Sequence, residues 1–181
     1  KHETLFNEYF SAMSLALDFA YMNRKIMADK VITIIERVLN KNRVDRTFIN
    51  IHHNYATKLQ GPDMKLNIQE PIFLHRKGAT SALKGQLGII PGSMGANSYI
   101  VQGKENMDSF ASCSHGAGRV MSRTKAKKEI STEQHKEDLR NIGLEVSDRD
   151  IHLDESPRAY KNIDEVMNNQ TDLVDIVVKL T

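Results

Sequence analysis

Short apolar segments that each run straight into a polar loop constrain this chain more than any other feature. Phe48-Ile49-Asn50-Ile51-His52 reads as a strand leading into His53-Asn54-Tyr55-Ala56, and Ile72 to His75 as a second leading into Arg76-Lys77-Gly78-Ala79-Thr80. Leu87 to Ile90 is a third, broken by Pro91-Gly92, and Ser98 to Gln102 alternates as a fourth. Aliphatic and β-branched side chains suit a pleated, half-buried surface, whereas glycine and proline end it. Loops held at strand ends are where binding groups are usually placed.

Helical periodicity surrounds these strands. From Thr4 to Asn40, Leu5, Phe6, Tyr9, Phe10, Met13 and Leu17 recur at helical spacing, followed by Ile26, Met27, Val31, Ile34, Ile35 and Val38. The pattern predicts two helices or one bent helix. Its first half is apolar on both faces and is expected to be covered by protein outside this chain; Asn23-Arg24 reads as a polar face. Lys125 to Ile130 is basic and helix-prone, a solvated face or an RNA-backbone contact, and Ser131-Thr132-Glu133-Gln134 offers caps for a helix through Arg140. Val146 and Ile151 read as short extended pieces. Asn162 or Asp164 is placed to cap a helix from Val166 to Asn169, and Leu173 to Leu180 is strand-like. The expected class is α+β, with packed β-sheets framing a cleft at one end and helices at the periphery.

The chain has 181 residues, enough for one domain with a real core. With 25 basic and 23 acidic residues, a formal charge of +2 excludes a uniformly basic nucleic-acid binder, so any basic surface is local. Cys113 is the only cysteine, so no intrachain disulfide forms and a reducing, cytoplasmic setting is expected, with Cys113 itself in a packing role. No apolar run reaches the roughly 18 residues that span a bilayer, and no membrane association is expected. The sequence opens at Lys1, directly in a helical pattern, as a segment of a longer protein would.

Asp108 to Arg123, with His115 at its centre, carries the densest chemistry. His115 is followed by Gly116-Ala117-Gly118, backbone that approaches a ligand closely or adopts positive φ. Alone, this is either a glycine turn after a strand or a phosphate cradle. Arg119 and Arg123 add bidentate positive charge suited to phosphate.

Taken together and in this order, the loops His52-His53-Asn54-Tyr55-Ala56, His75-Arg76-Lys77-Gly78-Ala79-Thr80, Pro91-Gly92-Ser93-Met94-Gly95 and His115-Gly116-Ala117-Gly118-Arg119 resemble the C-terminal half of the RtcB family of GTP-dependent tRNA-splicing RNA ligases. Glu155-Ser156-Pro157-Arg158-Ala159-Tyr160-Lys161 is similar to the family's Glu-Ala-Pro-x-Ala-Tyr-Lys. The resemblance implies that residues 1–181 are the C-terminal segment of such a ligase, with the N-terminal metal-binding part and the extreme C-terminus absent.

It further implies an enzyme joining RNA 3′-phosphate or 2′,3′-cyclic phosphate ends to 5′-hydroxyl ends, in tRNA splicing or RNA repair, using GTP and two manganese ions. The position matching the guanylylated histidine is His115. By the same resemblance His53 is the metal ligand supplied by this segment, and Asn54 contacts the nucleotide. Pro91, Gly92, Ser93 and Met94 form a nucleotide-binding turn, with Ser98 reaching guanine. Gly116, Ala117 and Gly118 lie against the ribose, and Tyr160 stacks on the base. Arg76, Lys77, Arg119 and Arg123 are candidates for RNA or triphosphate oxygens. Ala96 stands where the family commonly has threonine, which removes a hydroxyl near that turn. Lys179 does not match the family's late guanine-contacting lysine, which is expected beyond Thr181. Implied partners are RNA ends such as tRNA halves, GTP and an archease-type activator. His52 is read as structural. With most metal ligands outside the chain, the segment alone is expected to bind metal poorly and to be inactive. The competing reading is a non-catalytic or specialised paralogue that binds nucleotide or RNA with the same loops.

Overall fold

Of the alternatives left by the apolar periodicity at the start of the chain, two helices or one bent helix, the chain forms a single helix. In the computed structural model, which describes residues 2–40, 47–59, 71–147 and 151–181, this is α1 (His2–Leu39). Its half-buried positions, among them Phe10, Met13, Leu17, Ala20, Arg24, Ala28 and Ile32, recur every three or four residues and mark the face turned toward the rest of the chain. Phe6 and Phe10 meet Phe73 edge-on, with ring centroids 4.6 and 5.6 Å away. The opposite face is apolar and open: Leu15, Phe19 and Val38 are each more than 70% exposed.

Among the described residues seven strands form three antiparallel sheets. The first pairs β1 (Asn54–Leu59) with β2 (Ile72–Lys77), and the second pairs β3 (Ala79–Ser81) with β6 (Ser112–Ser114). The third has the order β4 (Leu87–Ile90), β5 (Ser98–Gly103), β7 (Val174–Leu180). The strands differ from the sequence reading in two places: β3 and β6 form at Ala79–Ser81, where Ala79-Thr80 is expected in a loop, and at Ser112–Ser114, where no strand is expected, and the strand near the histidine pair is displaced. Phe48 to His52 is irregular, and the strand begins after the histidine pair, because Asn54 to Leu59 finds β2 as a hydrogen-bonding partner. The expected extended pieces at Val146 and Ile151 are not strands; residues 148–150 between them lie outside the described residues.

Among the described residues, three further α-helices lie in sequence between β6 and β7. Ser122 caps α2 (Arg123–Glu129), and Ser131 with Gln134 makes a full capping box at the start of α3 (Thr132–Asn141). Asn162 caps α4 (Ile163–Asn168), which starts three residues before the expected Val166. Ile90, Tyr99, Val101, Cys113, Ile163, Met167 and Val174 form the main core between the three-stranded sheet and α4. Full burial of Ile90 and Val101 contributes about 1.5–3 kcal/mol each. A smaller cluster, Ala126, Ile130 and Ala159, seats α2 on the 3₁₀ turn Pro157–Ala159. The chain is thus α+β. Among the described residues no helix is long and apolar enough to cross a membrane.

Candidate functional site

Sheet register delivers His115 to its neighbours. β3 and β6 pair Ala79 with Ser114, so the residues just outside that pair, Gly78 and His115, emerge side by side. β1 and β2 pair Asn54 with Lys77, which brings His53 to the same place. Gly78 is the node: its N–H donates to the His53 carbonyl at 3.0 Å, and its carbonyl lies 2.8 Å from His115 Nδ1. This uses φ of +73° at Gly78, a conformation glycine adopts without a Cβ penalty. A carbonyl only accepts, so the contact requires the proton on Nδ1 and leaves the lone pair of a neutral ring on Nε2. The His53 ring stacks on His115 with centroids 5.0 Å apart and planes at 21°. Loss of solvent, then the charge of His115 and that of Arg24, pull the His53 pKa below its ordinary value of 6.5, which favours a neutral imidazole.

A cavity of about 390 Å³ opens beside His115, lined by Pro91, Gly92, His115, Gly116, Ala117, Gly118, Arg119, Arg123 and Tyr160. Two of the glycine-bearing loops are locked together here, because Ala117 N–H donates to the Pro91 carbonyl at 3.1 Å. That amide is therefore committed to the loop. Gly92 is required by close approach, since a Cβ there would lie 2.2 Å from the Asn97 carbonyl oxygen. The segment Ala159 to Lys161 closes the cavity by pairing with Gly118 to Val120, through Val120 N–H to Ala159 O and Lys161 N–H to Gly118 O, both 2.9 Å. Arg119 and Tyr160 face each other in that bridge.

The two arginines beside the cavity are held differently. Arg119 donates from Nε to the Met121 carbonyl at 3.0 Å, from Nη1 to the Tyr160 hydroxyl at 2.8 Å and from Nη2 to the Asp154 carbonyl at 2.5 Å. Its guanidinium carbon lies 4.7 Å from the Tyr160 ring centroid, so it is a fixed wedge. Arg123 is 63% exposed and, among the described residues, is tied through Nη1, to Asp154 at 2.7 Å and Glu155 at 2.5 Å. It is the better placed of the two to meet an incoming anion. Tyr160 donates its hydroxyl proton to Glu155, whose carboxyl is held below the usual range first by that bond and next by the charge of Arg123, against the opposing effect of burial.

Other sequence candidates lie around the cavity rather than in it. Asn54 and Lys77 are exposed at the start and end of their strands, Ser93 lines a neighbouring cavity of about 390 Å³ with Gly95, Ala96 and Asn97, and Met94 is exposed. Ser98 Oγ accepts from Gly92 N–H at 3.4 Å, within the turn itself. Arg76 corrects the expectation of a phosphate contact: it is 5% exposed and donates to Ser112 Oγ, the Tyr55 hydroxyl and the carbonyls of Phe110 and Ala111. Lys179 is bound to Asp164 at 3.2 Å. Cys113 is buried, and burial raises its pKa, so it packs as a neutral thiol.

Sequence reasoning missed Arg24 and the acidic pair Asp154 and Glu155. Arg24, read as part of a polar face, donates from Nε to Asn50 Oδ1 at 2.7 Å and has its Nη2 3.3 Å from His52 Nδ1, tying the segment before His53 to α1. Asn50 returns a bond from Nδ2 to the Tyr21 carbonyl at 3.3 Å. No local spacing marks a pairing across 26 residues.

Among the described residues no group of three or more His, Cys, Asp or Glu side chains could hold a metal ion. His53 and His115 offer imidazole nitrogens alone, whereas manganese sites draw heavily on oxygen donors. The donor set described does not fit a manganese pair.

Comparison with known proteins gives a concordant answer. The family model for tRNA-splicing ligase RtcB matches residues 1–181. The chain is 46% identical over 180 residues to the RNA-splicing ligase RtcB of Escherichia coli K12, a match covering 97% of this chain and 42% of that protein. It is 37% identical over 183 residues to the tRNA-splicing ligase RtcB of Nanoarchaeum equitans, covering 88% of this chain and 37% of that protein. The tRNA-splicing ligase RtcB of Pyrococcus abyssi is 32% identical over 183 residues, covering 88% of this chain and 19% of that protein. The chain therefore spans well under half the length of these relatives.

Proposed function

The chain belongs to the RtcB family, and from that membership we propose that it carries the nucleotide-accepting histidine of an RNA ligase. In this reading the intact protein joins RNA 3′-phosphate or 2′,3′-cyclic phosphate ends to 5′-hydroxyl ends through GMP on His115, in tRNA splicing or RNA repair. The observation that supports it best is the 2.8 Å contact of His115 Nδ1 with the Gly78 carbonyl at the rim of a cavity floored by glycine backbone.

The chemistry follows from that contact. With Nδ1 protonated and hydrogen-bonded, the Nε2 lone pair of neutral His115 attacks the α-phosphorus of GTP; the bond from that phosphorus to the β-bridging oxygen breaks, and pyrophosphate leaves. Arg123 supplies positive charge where negative charge accumulates on phosphoryl oxygens. A base stacked on Tyr160 uses the face away from Arg119, because Arg119 covers the other. A 2′,3′-cyclic phosphate is first opened by water to a 3′-phosphate; an oxygen of that 3′-phosphate then attacks the phosphorus of the adduct, breaking its bond to Nε2 and restoring neutral His115, and the 5′-hydroxyl attacks the RNA phosphorus, losing its proton and expelling GMP. Manganese enters this reading only through His53, as one ligand among others supplied outside the described residues.

Incubating the full-length protein with α-labelled GTP and Mn²⁺ tests the reading. An acid-labile labelled adduct that disappears in His115→Ala, with thermal stability retained, is the expected result. An adduct that survives in His115→Ala, or none in the unaltered protein, removes it in favour of a domain that binds nucleotide or RNA without turnover.

A further inference from the structure

Tyr160 is shared by three adjoining cavities. It lines the His115 cavity, the cavity of Ser93 to Asn97, and a third of about 520 Å³ against α4 that includes Ser114, Asn162 and Gln170. Tyr160 therefore stands where the three cavities meet, and the setting of its ring bears on how a ligand beside His115 meets the Ser93 to Asn97 cavity. A phenol ring pivots about two side-chain torsions unless its hydroxyl is held. Here the hydroxyl is held twice, as acceptor from Arg119 Nη1 at 2.8 Å and as donor to Glu155. The other oxygen of the Glu155 carboxylate takes Arg123 Nη1 at 2.5 Å and lies 4.0 Å from Arg119 Nη1. One carboxylate thus joins the cavity wall to the exposed cation beside it. Asp154 does not duplicate this: its carboxylate meets Arg123 and Lys127, and only its backbone carbonyl meets Arg119.

We infer that Glu155 is a positioning residue for the nucleotide site: by accepting from Tyr160 and pairing with Arg123, it fixes the Tyr160 ring where the His115 and Ser93 to Asn97 cavities meet, and the cation beside it. The inference rests on the reading of His115 as the nucleotide acceptor. Glu155 touches neither the reacting phosphorus nor His115 and acts through Tyr160 and Arg123. Its effect therefore falls on how well the nucleotide is held and aligned. A charge-assisted hydrogen bond of this type is stronger than a neutral one, so its removal registers in binding.

The test measures the rate of His115 labelling against GTP concentration in the full-length protein and in Glu155→Ala, Glu155→Gln, Tyr160→Phe and the Glu155→Ala/Tyr160→Phe double variant, with melting temperatures alongside. Glu155→Ala and Tyr160→Phe should each raise the half-saturating GTP concentration about 5- to 20-fold, a larger change than either makes in the maximal labelling rate. The double variant should be no worse than about twice Glu155→Ala, because the Tyr160–Glu155 bond that Tyr160→Phe removes is already absent in that single variant. Glu155→Gln keeps an acceptor for Tyr160 but loses the charge that holds Arg123, and should recover part of the Glu155→Ala loss. Multiplicative effects in the double variant, an unchanged half-saturation in Glu155→Ala, or a lowered melting temperature with no kinetic split overturns the positioning role. Absence of any adduct in the unaltered protein overturns the nucleotide reading and this inference together, whereas the other outcomes overturn this inference alone.

Discussion

The carbonyl oxygen of Gly78 lies 2.8 Å from His115 Nδ1, across the open end of the β3–β6 pair. Because Gly78 also donates to the His53 carbonyl, one peptide fixes both histidines, and its φ of +73° is what turns it to do so. A Cβ at this position would meet His115 Cε1 at 3.6 Å, an ordinary contact, so the penalty for Gly78→Ala is conformational, about 1–2 kcal/mol. Relaxing that strain rotates the carbonyl away from Nδ1. Gly78→Ala should melt several degrees lower and form the His115 adduct at least about tenfold more slowly. A labelling rate equal to that of the unaltered protein would show that the carbonyl does not set the reactive nitrogen.

Arg76 and Lys77 are neighbours in sequence with opposite consequences. The Arg76 guanidinium bonds to the carbonyls of Phe110 and Ala111, two residues with φ of +52° and +46°, so it holds a turn that non-glycine residues adopt at a cost. Arg76→Lys cannot reproduce the fork, and Arg76→Ala leaves the turn carbonyls and the Tyr55 hydroxyl with fewer partners. Chemical denaturation should show a loss on the order of 3 kcal/mol for Arg76→Ala. Lys77→Ala, on an exposed strand end, should change stability by no more than about 0.5 kcal/mol. If Lys77 meets RNA, its removal reduces the salt dependence of RNA affinity by about one unit of slope.

The parts legible in sequence were those whose signals are local. Ser131 and Gln134 are three residues apart and cap each other, so a helix start was visible without tertiary knowledge. Pro91 after Ile90 ended β4 for the same reason. The strand near His53 was misplaced by several residues because Phe48 to Ile51 has strand-like composition, yet pairing with β2 goes to Asn54–Leu59; composition does not reveal which segment has a partner. The convergence of the His53, Gly78, Pro91 and His115 loops was legible only through resemblance, since their registers depend on three separate sheets. Arg76 was misread because an arginine beside a lysine and glycine looks like a phosphate site whether it points inward or outward. Arg24 and Asp154 carried no short-range signal, as their partners lie 26 to 31 residues away, whereas Glu155 stood in the quoted motif five residues before Tyr160 but without an assigned role.

His135 on α3 predicts acid sensitivity. It is 1% exposed, neither ring nitrogen has a hydrogen-bond partner among the described residues, and burial lowers its pKa below 6.5. Asp138 opposes this shift and His152 adds to it, both more weakly than burial. Once the pH falls below about 6.5 the unfolded chain binds a proton that the native state refuses, so stability is full above that pH and declines as the pH drops toward the lowered native value. His52 and His53, whose pKa values are also lowered, act in the same direction. His135→Leu should therefore flatten, without abolishing, the fall in melting temperature between about pH 7 and 5. An unchanged pH slope would mean that His135 takes up its proton equally in both states.

Ser156 offers the simplest test of packing around the site. It is fully buried, its Oγ has no partner among the described residues, and although it stands at the start of the Pro157–Ala159 turn its side chain caps nothing. A hydroxyl stripped of water and left unpaired costs about 1–3 kcal/mol, while the space left by deleting one oxygen is too small to cost as much. The RtcB pattern that this segment resembles has alanine here, between the residues that match Glu155 and Pro157. Ser156→Ala should accordingly raise stability by about 1 kcal/mol, or roughly 2–4 °C in melting temperature. Because the backbone bonds of Ser156 to Leu153 and Ala159 do not involve Oγ, the placement of Glu155 and Tyr160 should persist, and GTP-dependent labelling of His115 should keep its half-saturation. A lower melting temperature would instead reveal that the hydroxyl is bonded in solution, to a water or to protein outside the described residues.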